Sequence, residues 1–205
     1  MILAVGNRFL IRREDDPPDS PRATERIPII LAHGAAFGSG EHETTASCLE
    51  EMERLPGVGG ADVLDLGSGT GVLAVAAAKL GARRVVAVDP SPAAIEVTRA
   101  SVRLNDVGHI VTTVHGELGA VGRETFDLVL ANIYADVLLG VVRDLAPLVR
   151  PQGTLIMSGV NYDGAFDVKL AYTRAGLRLV RSRALENYGT FVFQSAAAGA
   201  DFEAR

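Results

Sequence analysis

An apolar strand runs directly into a glycine-rich turn at Val63-Leu64-Asp65-Leu66-Gly67-Ser68-Gly69-Thr70-Gly71. Glycines allow a tight turn and let a bound molecule approach bare backbone, so this stretch predicts a strand, a binding turn and a helix in succession. We expect the helix to cover Gly71–Leu80. The next apolar segment, Arg84–Asp89, predicts a second strand, and it ends in a carboxylate at a spacing that suits a contact to ribose hydroxyls.

Strand and helix patterns alternate regularly along the chain after this turn. Short apolar runs predict strands, and longer segments with helical spacing separate most of them. The predicted strands are Asp62–Leu66, Arg84–Asp89, Ile110–His115, Phe126–Ala131 and Thr154–Ser158, and the predicted helices are Gly71–Leu80, Ser91–Asn105, Ala135–Val149 and Asp163–Ala175. Leu177–Ala184 and Thr190–Gln194 predict a terminal antiparallel hairpin. We therefore expect a doubly wound α/β fold with a mostly parallel, seven-stranded sheet of the Rossmann-like type.

The chain of 205 residues has the length of one ordinary domain. Its first part contains a short apolar segment, Phe9–Ile11, and then a run of aspartates and prolines over residues 15–21. A strand at Ile27–Ala32 and a helix from about Glu41 to Leu55 follow. The predicted organisation is an N-terminal arm or loop over residues 1–26, the globular domain over residues 27–195 and a flexible tail over residues 196–205.

The composition excludes several classes of protein. There are 20 basic and 25 acidic residues, a net charge of -5, so we expect no direct binding of nucleic acid. The single cysteine, Cys48, excludes an internal disulfide and a multi-cysteine zinc site. The longest apolar run, Val72–Ala78, is too short to cross a bilayer, and a cytoplasmic protein without membrane attachment is expected. No metal site is predicted, because Glu41, His42 and Glu43 point in different directions on a helix.

Two classes of ligand compete for the glycine-rich turn. Residues 69–74 satisfy the G-x-G-x-x-G/A pattern of dinucleotide-binding proteins, which would favour an NAD-dependent oxidoreductase. Counted from Asp65, the same stretch reads Asp-x-Gly-x-Gly-x-Gly. A carboxylate beside the turn disfavours a pyrophosphate, but it favours the cationic sulfonium and ammonium of S-adenosylmethionine. The sequence shows no acid or base for hydride transfer near the turn, so S-adenosylmethionine is the predicted cofactor.

Two further strand ends carry polar residues with candidate roles. Glu117 follows the third strand, and it either accepts a hydrogen bond from an adenine amino group or is a solvated loop residue. Asn132 follows the fourth strand, where its side-chain carbonyl would meet a nucleophile near the methyl group. The alternative for Asn132 is an ordinary turn-forming asparagine. Since the carboxyl ends of parallel strands share one edge of the sheet, both residues are expected near the glycine-rich turn.

A longer set of motifs resembles one protein family. Residues 36–45, Ala-Phe-Gly-Ser-Gly-Glu-His-Glu-Thr-Thr, are similar to the A-F-G-T-G-x-H-x-T-T signature of ribosomal protein L11 methyltransferases. The same family is matched, in the same order, by residues 65–71, Asp89, 131–133 (Ala-Asn-Ile) and 155–160 (Leu-Ile-Met-Ser-Gly-Val). The resemblance extends over about residues 29–194, and it implies the fold and the cofactor of a class I methyltransferase.

The resemblance also implies a set of cofactor contacts. It assigns contacts to Thr45, Gly67, Asp89 and Asn132, and it places Phe37 with its flanking glycines in a loop over the cofactor. The predicted cofactor-binding residues are thus Phe37, Thr45, Asp65, Gly67, Gly69, Asp89, Glu117 and Asn132, and Asn132 is also the predicted catalytic residue. Ser39 replaces a threonine of the family, and Tyr134 replaces an apolar residue. That tyrosine either flanks a cationic substrate or packs under the next helix.

The activity implied by the resemblance is methyl transfer to protein amines, at lysine side chains or an N-terminus. The displacement needs alignment of the reacting atoms, and a dry site near a sulfonium lowers the pKa of the amine, so no dedicated base is expected. The Asn132 side-chain carbonyl and the Ile133 backbone carbonyl are predicted to orient the amine. Family members carry an N-terminal recognition domain, whereas fewer than thirty residues precede the resemblance here. The expected substrate is either ribosomal protein L11, recognised with another chain, or a different protein or small-molecule amine.

Overall fold

The structure, a computed structural model, describes residues 2–17 and 25–196. Its strands are β1 (Ile2–Val5), β2 (Phe9–Arg13), β3 (Ile27–Leu31), β4 (Asp62–Leu66), β5 (Arg84–Asp89), β6 (Val111–His115), β7 (Phe126–Asn132), β8 (Val149–Asn161), β9 (Leu177–Ala184) and β10 (Tyr188–Ser195). Its α-helices are α1 (Glu43–Glu53), α2 (Val72–Lys79), α3 (Pro92–Leu104), α4 (Ala135–Leu145) and α5 (Tyr162–Arg174). Short 3₁₀ helices cover Leu118–Val121 and Ala146–Leu148.

Seven strands form one sheet in the order β6-β5-β4-β7-β8-β10-β9. The neighbouring strands from β6 to β8 are parallel, and β10 is antiparallel to both β8 and β9. The chain first adds β5 and β6 on one side of β4 and then adds β7 on the other side. The winding therefore reverses between β4 and β7, which is where open α/β sheets bind ligands. The predicted doubly wound, mostly parallel seven-stranded sheet with a C-terminal hairpin is confirmed.

Helices cover both faces of the sheet, so its central strands are buried on both sides. All five residues of β4 are buried. Alternate side chains along β4 enter two apolar clusters, Val63 in the one that includes α1 and α2, and Leu64 in the one that includes α4 and α5. The small side chains of Val72–Ala78 are all buried, and their size lets α2 pack closely on the sheet. None of the helices within the two described ranges is long and apolar enough to span a membrane.

The N-terminal segment forms strands. β1 and β2 are an antiparallel hairpin, and β2 pairs in parallel with β3, which completes a separate three-stranded sheet. Phe9 is fully buried in the cluster that includes α1 and α2. The Glu53 carboxylate accepts hydrogen bonds from the backbone N–H groups of Asn7 and Arg8, at 3.1 Å each. The prediction of an arm or loop over residues 1–26 is therefore wrong for β1 and β2, because apolar burial and this carboxylate hold the hairpin in place.

Two predicted elements differ most from the observed ones. β8 begins at Val149 instead of Thr154. Its first five residues include polar ones, so an apolar pattern did not predict them as part of the strand. α4 ends at Leu145 instead of Val149, because Pro147 has no backbone N–H with which to continue the α-helical hydrogen bonds, and a 3₁₀ helix follows. Most of the predicted proline-rich run and most of the predicted tail, residues 18–24 and 197–205, lie outside the described residues.

Candidate functional site

A cavity of about 810 Å³ lies at the carboxyl ends of β4, β5 and β7. This volume is within the range of small-molecule pockets in proteins. Its walls come from the glycine-rich turn after β4, the ends of β5 and β7, the segment around Phe37, the start of α3 and one face of α4. Of the predicted site residues, the cavity is lined by Phe37, Gly67, Gly69, Asp89, Glu117 and Asn132, and it is not lined by Thr45 or Asp65.

The glycine-rich turn approaches neighbouring segments so closely that side chains are excluded from it. Gly67 and Gly69 have φ angles of 75° and 55°, in the left-handed region. A Cβ at Gly69 would lie 2.2 Å from the Phe37 carbonyl oxygen, and a Cβ at Gly67 would lie 2.4 Å from the Ile133 side chain. Both positions therefore require glycine, for the backbone conformation and for space.

Asp89, at the end of β5, joins the glycine-rich turn to the next helix. Its Oδ2 accepts the backbone N–H of Gly69 and its Oδ1 accepts the backbone N–H of Ser91, both at 2.9 Å. Ser91 in turn caps α3 by accepting the backbone N–H of Ala94. A carboxylate has about four acceptor sites, so Asp89 can hold the turn and still accept hydrogen bonds from a ligand in the cavity.

The segment around Phe37 is bonded onto the glycine-rich turn. Thr70 donates its backbone N–H to the Phe37 carbonyl at 2.9 Å and its hydroxyl to the Gly38 carbonyl at 2.6 Å. The Phe37 side chain is 55% exposed, and its ring meets the His42 ring edge-on with the centroids 5.2 Å apart. The His42 ring makes a similar contact with Tyr188 at 5.3 Å. Three aromatic rings thus form one side of the cavity.

His42 is the N-cap residue of α1. Its Nδ1 accepts the backbone N–H of Thr44 and lies 2.8 Å from the Thr44 hydroxyl, so the ring nitrogen is used within the helix cap. The ring also lines the cavity. Among residues 2–17 and 25–196 there is no group of three or more side chains with the arrangement of a metal site.

Asp65 lies beneath the glycine-rich turn and outside the cavity wall. The residue is 1% exposed, and its Oδ2 accepts the backbone N–H of Ala74 in the first turn of α2 at 3.0 Å. Burial raises the pKa of the Asp65 carboxyl to about 7; the Ala74 N–H opposes this increase, and the charge of Asp89 adds to it. A cation bound at the turn would favour the ionised form of Asp65. Asp65 is therefore not placed to contact a molecule in the cavity directly.

Asn132, at the end of β7, is held from behind the cavity wall. Its Nδ2 donates to the hydroxyl of Thr45, which lies in the first turn of α1 and is fully buried, at 3.2 Å. The Oδ1 of Asn132 is buried and has no hydrogen-bond partner among the described residues. Most buried polar side-chain atoms are paired, so an unpaired acceptor in a cavity wall indicates a position for a donor group of a ligand.

The backbone carbonyl of Ile133 lies beside this acceptor. Gly159, in β8, also lines the cavity and has a φ angle of 78°. A Cβ at Gly159 would lie 2.9 Å from the Ile133 carbonyl oxygen and 3.2 Å from the Asn132 Oδ1. The two oxygens therefore border the same small space, and glycine keeps a side chain out of it.

Glu117 and Tyr134 extend the cavity beyond this centre. Glu117 is exposed and lines the cavity just before the 3₁₀ helix at Leu118–Val121. Tyr134 is 71% exposed and lines the cavity at the start of α4. The alternative in which Tyr134 packs under the next helix is therefore wrong, because its ring is open to solvent beside the site.

Tyr188 and Gly159 are among the lining residues that had no site role in the sequence-based prediction. Tyr188 reaches the cavity from the C-terminal hairpin, and no local pattern signals such a contact. Gly159 does carry a signal, since a glycine within an apolar strand often marks a close approach of backbone or ligand.

Comparison with known proteins relates this site to one family. The sequence model of the family described as "Ribosomal protein L11 methyltransferase (PrmA)" matches residues 3–195. Among curated relatives, the ribosomal protein L11 methyltransferase of Geobacillus thermodenitrificans is 37% identical over 172 residues, which are 84% of this chain and 55% of the relative. That of Chloroflexus aurantiacus is 38% identical over an alignment 208 residues long, which covers 87% of this chain and 61% of the relative. The chain thus spans little more than half the length of these relatives.

Solved structures agree with this relationship. The crystal structure of ribosomal protein L11 methylase from Lactobacillus delbrueckii subsp. bulgaricus has a TM-score of 0.87 and 27% identity, and covers 95% of this chain and 98% of that chain. SMU.776, solved in complex with SAH, shares the fold alone, with a TM-score of 0.62 at 15% identity over 76% of this chain and 50% of that chain. Since the family match covers nearly all the described residues, the chain belongs to the ribosomal protein L11 methyltransferase family.

Proposed function

We propose that this chain is an S-adenosylmethionine-dependent N-methyltransferase that acts on protein amines, at lysine side chains or an N-terminus. The observation that carries the proposal is the pair of acceptors in the cavity wall, the unpaired Oδ1 of Asn132 and the carbonyl oxygen of Ile133. A neutral primary amine has two N–H groups that can donate to these oxygens while its lone pair stays free to react. Membership of a methyltransferase family supports the class of reaction.

The cavity has the features that S-adenosylmethionine requires. The glycine-rich turn brings bare backbone to the wall, and Asp89 stands at the strand end where ribose hydroxyls are held in folds of this type. Glu117 offers an acceptor on the same edge of the sheet for an adenine amino group. The buried Asp65 carboxyl favours a cationic ligand over a pyrophosphate. When bound, this cofactor would supply an electrophilic methyl group on a sulfonium.

The residues of the chain then have to orient the amine and keep water away from it. A bound cofactor would supply the methyl group and keep the electrons of its carbon–sulfur bond, and the amine would attack with its lone pair and release its surplus proton to solvent. Effective transfer needs the reacting atoms about 3–3.5 Å apart and in line, which the Asn132 and Ile133 oxygens favour by holding the N–H groups. A lysine amine has a pKa of about 10.4 in water. A nearby cation lowers it, so no basic side chain is needed.

Ribosomal protein L11 is the first substrate we propose, because the curated relatives carry that name. This substrate would place the reaction in the cytoplasm, where ribosomal proteins are made and assembled. A different protein, or a small-molecule amine, is the second candidate. The exposed rings of Phe37 and Tyr134 suit either kind of amine, since aromatic faces attract cations.

Transfer of a labelled methyl group tests the proposal. The chain is incubated with methyl-tritiated S-adenosylmethionine and purified bacterial ribosomal protein L11, and separately with a bacterial lysate, and the labelled species are identified by mass spectrometry. We expect label on amines of L11. Label on another protein or on a small amine would retain the N-methyltransferase and replace the substrate. The proposal fails if no amine is labelled, or if calorimetry shows tight binding of NADH and no response to S-adenosylmethionine.

Replacing Asn132 by alanine tests the acceptor pair. Asn132→Ala removes Oδ1, so we expect the turnover number to decrease more than tenfold while the circular dichroism spectrum and melting temperature stay close to those of the wild type. Initial rates at saturating S-adenosylmethionine measure the change. Asn7→Ala, in the distant β1–β2 turn, serves as the control and should retain the wild-type rate. Near-normal turnover of Asn132→Ala would remove this residue from the mechanism.

A further inference from the structure

We propose that Thr45 is a positioning residue for methyl transfer: its hydroxyl accepts the Nδ2–H of Asn132 and fixes the amide orientation that presents Oδ1 to the substrate amine. This inference rests on the proposed function, because it takes Asn132 Oδ1 as the acceptor for that amine. It assigns Thr45 a role through Asn132, distinct from the direct cofactor contact that the family resemblance implies.

The position of Thr45 supports an indirect role. The residue is fully buried in the first turn of α1 and does not line the cavity. The Thr45 hydroxyl lies 3.2 Å from the Asn132 Nδ2, although the two residues are 87 positions apart in the sequence. Thr45 therefore contacts the site only indirectly, through its hydrogen bond to the Asn132 amide nitrogen.

The orientation of the amide matters because its two ends have nearly the same shape and opposite chemistry. The oxygen accepts hydrogen bonds, and the NH₂ group donates them. With the amide reversed, the cavity would present a donor beside the Ile133 carbonyl in place of the second acceptor. That donor would compete for the lone pair with which the amine has to react. An amide held in the observed orientation keeps the lone pair free.

A threonine hydroxyl is suited to hold the amide in this way. A hydroxyl oxygen has two acceptor lone pairs, so it can accept the N–H of the Asn132 amide. Gly159 completes the arrangement on the other side, because a Cβ there would lie 3.2 Å from the Oδ1. The amide is thus held on its donor side, and its buried oxygen has no hydrogen-bond partner among the described residues.

Four variants test the proposal: Thr45→Val, Thr45→Ser, Asn132→Asp, and Thr45→Val combined with Asn132→Asp. Valine keeps the shape of threonine without the hydroxyl, so Thr45→Val should lower the turnover number at least tenfold and change the dissociation constant of S-adenosylmethionine less than threefold. Thr45→Ser should stay within threefold of the wild type. The carboxylate of Asn132→Asp has two equivalent oxygens and no wrong orientation, so adding Thr45→Val to it should lower turnover less than threefold further.

The same measurements separate positioning from a structural role. The proposal would be overturned if Thr45→Val caused equal losses of turnover in the wild-type chain and in the Asn132→Asp variant. A loss of cofactor affinity as large as the loss of turnover would overturn it as well. If Asn132→Asp has no measurable rate, the valine and serine variants decide: failure of serine to restore turnover overturns the proposal.

Nuclear magnetic resonance gives a readout that does not depend on the substrate. In the ¹⁵N-labelled chain, the side-chain NH₂ protons of Asn132 should show nuclear Overhauser effects to side-chain protons of Thr45. Their absence would overturn the proposed orientation. A chain that shows these effects but methylates no amine would contradict the proposed function and leave the amide orientation established.

Discussion

Asp65 is a buried carboxyl group whose surroundings oppose its charge. Burial raises its pKa to about 7, although the Ala74 N–H stabilises the ionised form. In the unfolded chain the pKa would be about 3.9. Between about pH 4 and pH 7 the folded chain therefore keeps a proton that the unfolded chain has lost. The contribution of Asp65 to stability is fully present below about pH 4, decreases as the pH rises toward 7, and is constant above that range.

Asp65→Asn removes this titration and keeps an oxygen that can accept the Ala74 N–H. We expect the free energy of unfolding of the wild type to decrease relative to that of the variant between about pH 5 and pH 7, with the difference constant above about pH 8. Urea denaturation of both proteins across this range measures it. Asp144→Asn, which also removes one carboxylate but at an exposed position, is the control for the loss of a charge. A stability difference for Asp65→Asn that does not change with pH would contradict the raised pKa.

Single residues of the site were predictable from the sequence to differing extents. Gly67, Gly69 and Asp89 belong to motifs that are continuous in the chain, and all three line the cavity. The contact between Thr45 and Asn132 was not predictable, because it depends on how α1 packs against the end of β7. Sequence reasoning placed both residues in the site without showing that one holds the other.

Among the elements, the glycine-rich turn and the segment around Phe37 act as one unit. Thr70 of the turn donates two hydrogen bonds to carbonyl oxygens of the Phe37 segment, and the Gly69 backbone lies against the Phe37 carbonyl. A change in the turn should therefore displace both walls of the cavity together.

Gly69→Ala tests this coupling. The added Cβ would meet backbone at 2.2 Å, so we expect the dissociation constant of S-adenosylmethionine to rise more than tenfold. Calorimetry measures the affinity. Gly176→Ala is the matched control, because Gly176 has a φ angle of 93° with no atom within 4 Å of an added Cβ. It should cost about 1–2 kcal/mol of stability, because alanine is strained in the left-handed region, and leave the affinity unchanged. Equal affinities of the two variants would show that the close approach is unimportant for binding.

Whether a segment forms a helix or a strand was predictable wherever its apolar residues repeat at the period of that element. β4, β5 and β9 have the predicted bounds, since their apolar patterns are bordered by turn residues. The β1–β2 hairpin was missed because it depends on pairing with β3 and on a carboxylate from α1, neither of which leaves a local pattern.

At the scale of the whole molecule, the three-stranded sheet β1-β2-β3 packs against the helices α1 and α2, which cover one face of the seven-stranded sheet. Its buried side chains share a cluster with α1 and α2, and the Asn105 side chain exchanges hydrogen bonds with the backbone of Ile30 in β3. The Glu53 carboxylate holds the hairpin turn at the far end. Because α1 begins at the site and ends at Glu53, the N-terminal sheet is attached to the same helix that carries Thr45.

Glu53→Ala should loosen this attachment. Hydrogen bonds to a charged group contribute about 1.5–3 kcal/mol each, so we expect amide hydrogen exchange over residues 2–13 to become at least tenfold faster while β4 and β7 keep their protection. Hydrogen–deuterium exchange followed by mass spectrometry measures both regions. Glu96→Ala, which removes an exposed pair with Arg99 on α3, should change neither. Unchanged exchange in residues 2–13 would show that pairing with β3 and apolar burial hold the hairpin without Glu53.

The sequence by itself determined the doubly wound sheet, the glycine-rich turn and the carboxylate that follows it. These features follow from local periodicity and from backbone conformations that only glycine adopts readily, and both are visible within a few consecutive residues. Only the tertiary structure decided which way the Asn132 amide faces, that Asp65 lies beneath the turn and outside the cavity wall, and that Tyr188 joins the aromatic side of the cavity. Each of these depends on contacts between segments that are distant in the chain, so their distances and burial exist only once the helices and strands have packed.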